Sequence, residues 1–93
     1  MNPVIVVSRR DNVATALEAL EAGRQLTVLG ASVVVREPVP SGHKIALRPI
    51  AAGETVIKYG SPIGTARIAI GAGEHVHVHN VESARGRGDL DRA

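Results

Sequence analysis

Three of the four histidines of this chain fall in the stretch GEHVHVHN, Gly73 to Asn80, at every second position. On a β-strand alternate side chains share a face, so His75, His77 and His79 would point one way while Val76 and Val78 point into the core. Imidazole changes charge near neutral pH, and it serves as proton carrier, metal ligand or plain polar surface. Residues two apart on a strand are separated by about 6.6 Å, near enough for two imidazoles, here His75 and His77, to reach one metal ion. Three from one straight strand would be strained. A divalent metal would want a further ligand, yet Glu74 lies on the opposite face of the ideal strand and His43 is distant in sequence. The spacing therefore leaves three readings open: a solvated sheet face, a metal site finished by another chain, and a substrate-facing row.

Two other stretches hold residues of chemical interest. In SGHKIAL, Ser41 to Leu47, His43 and Lys44 leave a glycine turn and enter a strand. An imidazole beside an ammonium group suits proton transfer next to an anion, and the same pair is also an ordinary exposed start to a strand. In VIKYGSPIG, Lys58 and Tyr59 precede a loop with Gly60, Pro62 and Gly64. Tyr59 is the sole aromatic residue, and the ordinary role of such a residue is packing in the core or at its rim. The chain has no Ser-His-Asp order, phosphate-binding glycine loop or nearby carboxylate pair, so a complete hydrolytic or phosphoryl-transfer site is not expected.

The elements that must position these groups belong to one small domain, because 93 residues bury only a modest core. Hydrophobic residues make up 44% of the chain, without Phe, Trp or Cys. The core is therefore aliphatic and suited to strands, and disulfides and thiolate metal ligands are excluded. One short N-terminal helix is expected over NVATALEALEA, Asn12 to Ala22, with Asp11 as its N-cap, Val13, Ala16, Leu17 and Leu20 on one face, and Gly23 at its end. Short strands are expected in PVIVVS before it and in QLTVL, SVVVRE, KIALR, TVIKY, GTARIAI and HVHVH after it. A weak repeat punctuates them: IAAGE at Ile50 returns as IGAGE at Ile70, with looser copies in LEAGR at Leu20 and VPSGH at Val39. Each reads as a tight corner in which the apolar residue plugs the core and glycine adopts a conformation that strains other residues. The domain proper is expected to span residues 1–81, with the polar segment 82–93 as a tail or linker.

Eleven Lys and Arg against nine Asp and Glu give a net charge of +2, and much of the cationic excess lies near the ends. Without clustered cationic charge or aromatic stacking platforms, no nucleic-acid partner is expected. No apolar run reaches membrane-spanning length and the N-terminus lacks the order of a signal peptide, so neither a membrane partner nor export is expected, and the cytoplasm is the expected compartment.

Together, DNVATALEALEAG, GHKIALRPIAAGETVIKYGSPIG and IGAGEHVHVHN resemble the N-terminal SAF-type domain of altronate and galactarate dehydratases, over Asn12 to Asn80. They are also similar to the small subunit of sulfolactate sulfo-lyase. The resemblance implies a mainly β, β-clip (SAF-like) fold. It implies a small subunit or domain of a sugar-acid dehydratase, inactive alone, whose site a large catalytic subunit completes. The chain ends at Ala93, where fused relatives continue, so a free small subunit or an excised domain is expected. Carried over to this sequence, the resemblance assigns catalytic positions to His43, His75, His77 and His79 and substrate-binding positions to Lys44, Lys58, Tyr59 and Asn80. Lys44 or Lys58 would meet the substrate carboxylate, and the roles of the individual histidines stay open. Fe(II) or another divalent metal is expected in the complete enzyme, with no tight binding to the isolated chain, for which His75 and His77 are the candidate ligands. Self-association as a homo-oligomer is expected when the large partner is absent. SAF-like domains also occur in sialic acid synthases and in pilus or flagellar assembly proteins, so a non-catalytic module that binds a carbohydrate acid or assembles a partner is the alternative. Within lyases, a sulfonate substrate remains open.

Overall fold

The computed structural model describes residues 3–83, and its regular structure there is all β. Nine short strands are present: β1 (Val4–Ile5), β2 (Val13–Ala16), β3 (Gln25–Val28), β4 (Ala31–Val34), β5 (Lys44–Ala46), β6 (Thr55–Lys58), β7 (Ser61–Ala66), β8 (His75–Val76) and β9 (Val81–Ser83). They form a four-stranded sheet in the order β1-β2-β5-β8, a β3-β4 hairpin and a three-stranded sheet in the order β6-β7-β9, with every pairing antiparallel. The described residues contain no helix long and apolar enough to cross a membrane.

The helix expected over Asn12 to Ala22 is not formed; β2 and a corner occupy that segment. Strand β2 lies between two neighbours, with Val4 paired to Ala16 and Val13 to Ala46, and both its faces are covered. Ala14 and Ala16 pack in one apolar cluster and Val13 in another. The near-continuous apolar run that this requires mimics helical spacing. The N–H groups of Ala16, Leu17 and Leu20 donate to the carbonyls of His43, Pro3 and Val39 at 2.8, 2.7 and 2.8 Å, so none enters a helical ladder. A helix of this length is marginal alone in water, and burial on two faces outweighs it. Leu17, expected on the buried helix face, is 56% exposed.

Asp11, expected as the N-cap, instead gathers separate parts of the chain. Its carboxylate accepts from the N–H groups of Val7 and Ser8, each at 3.3 Å, and of Gly60 at 2.7 Å. Burial pushes the carboxyl pKa up, but the backbone donors of Gly60, Ser8, Val7 and Tyr59 outweigh it and hold the group below its ordinary 3.8. The neighbouring Asn12 is buried and uses both ends of its amide on β6, donating to the Thr55 carbonyl at 2.9 Å and accepting from Ile57 N–H at 2.7 Å, beside the register shift at Val56/Ile57.

The repeated corners are present and pair with one another. Leu20 bridges Val39 and Ile50 bridges Ile70, each pair exchanging backbone hydrogen bonds of 2.8–2.9 Å, and all four side chains are buried. Each pair of corners brackets one hairpin, β3-β4 or β6-β7. Beneath the first lies a core with Leu20, Leu26, Val39 and Ile45, and beneath the second a core with Ile50, Val56, Ile70 and Val76. Gly73 shows why the motif carries glycine: its φ is +87°, and a Cβ there would overlap the Val34 carbonyl.

Several strands stop short of expectation, β1 ending at Ile5, β4 at Val34 and β5 at Ala46. The strand expected through HVHVH stops at Val76, and that expected through GTARIAI leaves its sheet after Ala66. The boundary expected after Val81 falls inside β9, whose Ser83 pairs with Gly64. The remaining expected tail, residues 84–93, lies outside the described residues.

Candidate functional site

The site begins where β8 ends. After Val76 the chain turns through His77 to Asn80, and the N–H groups of Asn80 and Val81 both donate to the His77 carbonyl at 3.1 Å. Asn80 holds this turn closed: its Oδ1 accepts from His77 N–H at 3.0 Å and its Nδ2 donates to the His75 carbonyl at 2.8 Å. Its side chain is buried and both ends of the amide are engaged by backbone. The turn also overturns the expected valine floor. Val76 is buried, but Val78 is 73% exposed.

The strand ends under the row, yet the rings stay together, His75 and His77 stacked with centroids 5.7 Å apart, and His43 joins them from the adjacent strand. Strands β5 and β8 are antiparallel with Lys44 opposite Val76, so the register carried one step further sets His43 across from His77. Their rings stack with centroids 3.9 Å apart. On the diagonal, His43 Nδ1 and His75 Nε2 lie 2.8 Å apart, a hydrogen bond in which one ring nitrogen donates and the other accepts. One nitrogen from each of His43, His75 and His77 falls within 4.8 Å of the other two, and all three residues are partly buried. His79 stands at the edge, exposed, its ring tilted 38° against His75 with centroids 5.1 Å apart.

Burial and mutual crowding favour the neutral forms of His75 and His77. Burial first, then the charges of His79, His43 and His77, pushes His75 below the ordinary 6.5, against an opposing pull from Glu37. His77 is lowered in the same direction by burial, then by His43, Lys44 and His79. Neutral imidazole is the form that accepts a proton or binds a metal. Three imidazole nitrogen donors suit a borderline divalent ion such as zinc or iron(II), although the rings lie stacked within 12–23° of parallel and must turn out of the stack to aim their nitrogens at one ion.

Beside the histidines is a cleft of about 300 Å³, lined by Lys44, Lys58 and His77 with an apolar wall that includes Ile63, Val76 and Val81. Lys44 is partly buried, and burial followed by the charge of Lys58 lowers its pKa from the ordinary 10.5. Two ammonium groups converging over an apolar wall make a receptor for an anion that brings its own hydrocarbon skeleton.

Of the expected site residues, the structure thus brings together His43, Lys44, Lys58, His75 and His77. Tyr59 lies outside the cleft lining, on the β6-β7 turn at φ +55°, 44% exposed. It touches the site through the Lys58 ammonium, 4.8 Å from its ring centroid. Asn80, expected to contact substrate, sits behind the histidines and fixes their backbone. Glu37 was missed: its carboxylate accepts from His75 N–H at 3.0 Å across a separation of 38 residues, and no local spacing announces it.

Comparison with known proteins gives a consistent result. Residues 2–84 match the family model described as the altronate/galactarate dehydratase SAF domain. The chain is 41% identical over 83 residues to an altronate dehydratase of Bacillus subtilis and 47% identical over 88 residues to one of Escherichia coli K12, alignments that cover 89% and 95% of this chain. It spans only 17% of the length of each of those relatives. It is also 45% identical over 75 residues to the alpha subunit of a (2R)-sulfolactate sulfo-lyase from Chromohalobacter salexigens, covering 74% of this chain and 80% of that protein.

Proposed function

Because the chain belongs to the altronate/galactarate dehydratase SAF-domain family, we propose that it is the SAF component of a lyase acting on a hydroxy acid, with a site that a larger catalytic partner completes. The observation that carries this reading is the convergence of His43, His75 and His77 with Lys44 and Lys58 on one cleft. The paired corners and their two hairpins support a β-clip architecture, which brings residues from distant corners to one rim. Dehydration of an aldonate and removal of sulfite from sulfolactate share one demand: a proton next to the carboxylate leaves as the group on the adjacent carbon departs. Lys44 and Lys58 bind the carboxylate or sulfonate, and the apolar wall holds the carbon chain. An imidazole that does not hold the metal accepts the proton, and His79, outside the nitrogen cluster, is the histidine of this chain left for that role. Asn80 and Glu37 orient the backbone that carries His75 and His77.

The complete enzyme takes iron(II) or another divalent metal in this reading, and His43, His75 and His77 are the residues of this chain that would hold it. When bound, such an ion supplies Lewis-acid assistance to the hydroxyl chemistry.

The test is reconstitution with a large lyase partner, assayed on altronate and on sulfolactate. His43→Gln is expected to lower kcat by about 100-fold, as for disruption of a metal-holding cluster, with association unchanged. Full turnover by the variant complex, or a defect cured by raising the concentration of the chain, would overturn the catalytic reading and leave an assembly module. Turnover by the chain alone would overturn the need for a partner.

A further inference from the structure

The imidazole cluster and the lysine pair share one wall, and their charges do not match. Three imidazole ligands bring no negative charge to a bound dication, and Lys44 and Lys58 add positive charge beside it. A dication in the cluster is repelled by the ammonium groups, and among the described residues the cleft lining holds no carboxylate to neutralise them. An anion placed between the two relieves both conditions. His77 belongs to both features, being a member of the nitrogen cluster and part of the cleft lining, so a ligand in the cleft reaches the open face of the cluster.

We propose that His43, His75 and His77 form a three-imidazole metal site contributed wholly by this chain, and that its occupancy is coupled to a 2-hydroxy carboxylate bound between the metal and Lys44/Lys58. The inference deepens the hydroxy-acid lyase reading and rests on its assignment of the cleft to the anion. The physical basis is reciprocal linkage: if the anion raises metal affinity by some factor, the metal raises anion affinity by the same factor. A 2-hydroxy carboxylate fits because its carboxylate and hydroxyl oxygens reach a metal together while a carboxylate oxygen still faces an ammonium group. His79 is not a ligand, since it lies outside the cluster on the exposed turn. Without the anion the site is weak.

The experiment is a zinc titration of the 93-residue chain, followed by calorimetry and by imidazole NMR resonances, with and without saturating glycolate. Zinc alone is expected to bind weakly at one ion per chain, and glycolate to tighten it by about fivefold or more, the lower end of ordinary allosteric coupling. His43→Gln should lose at least tenfold in zinc affinity, His79→Ala should not, and Lys58→Ala should keep zinc while losing the glycolate effect. His43→Ala with an unchanged amide NMR spectrum elsewhere serves as a second variant should the glutamine substitute as a ligand. Zinc affinity that survives loss of His43, or that depends on His79, would overturn the site; an unchanged affinity in glycolate would overturn the coupling. The lyase reading fails separately. If His43→Gln abolishes zinc binding while the reconstituted complex turns over normally, the metal site stands and the catalytic role falls.

Discussion

Replacing Asn80 with alanine separates a residue that positions the site from one that touches substrate. The substitution removes the acceptor for His77 N–H and the donor to the His75 carbonyl, two bonds of 3.0 and 2.8 Å made by a side chain that is only 4% exposed. Each neutral bond contributes about 1 kcal/mol net, and leaving its buried partner unpaired costs about 1–3 kcal/mol. The adjoining turn is open to solvent at Val78 and His79, so water reaches part of the gap and the low end applies. The expected loss is about 2 kcal/mol, or roughly 8–16 °C in Tm for a domain of this size. Urea denaturation followed by far-UV circular dichroism measures it, and imidazole resonances of His75 and His77 should shift without any ligand. Asn80→Asp keeps the acceptor and loses the donor, and should fall between wild type and alanine. A loss below about 0.5 kcal/mol with unmoved imidazole resonances would refute the reasoning, because an amide committed to the backbone could not be removed so cheaply.

Further outcomes are expected. Gly53 and Gly73 occupy equivalent corners with the same φ of +87°, but a Cβ meets nothing at Gly53 and overlaps the Val34 carbonyl at Gly73. Gly53→Ala should cost about 1–2 kcal/mol from backbone strain alone, and Gly73→Ala markedly more, by chemical denaturation; equal losses would refute the close approach. Since His75 and His77 titrate below the ordinary 6.5 when folded, the unfolded chain takes up protons first as pH falls. Stability should decline from about pH 6.5 toward the lowered folded values, and Asp11, held below 3.8, adds a further loss in the same direction below that pH. A urea midpoint at pH 5.5 equal to or above that at pH 7.5 would contradict this.

Sequence alone determined the aliphatic β character of this protein and its four corners, because those features are local. An apolar plug three residues before a glycine specifies a corner wherever it occurs, and Leu20, Val39, Ile50 and Ile70 fill those places. Membership of the SAF-domain family was legible for a related reason, since it rests on contiguous strings. The helix was misread because β2 is buried on two faces, and a strand covered on both sides loses the alternation that distinguishes it from a helix. The candidate site was legible as residue types but not as an arrangement. His43 and His75 are 32 positions apart, and only the antiparallel register of β5 on β8 makes them neighbours. A slip of one residue would turn either histidine to the other face. The turn that sets His79 at the exposed edge of the cluster depends on Asn80 being buried against the main chain of His75 and His77, and whether an asparagine faces solvent, ligand or main chain is decided by how the folded chain packs, which spacing alone does not record.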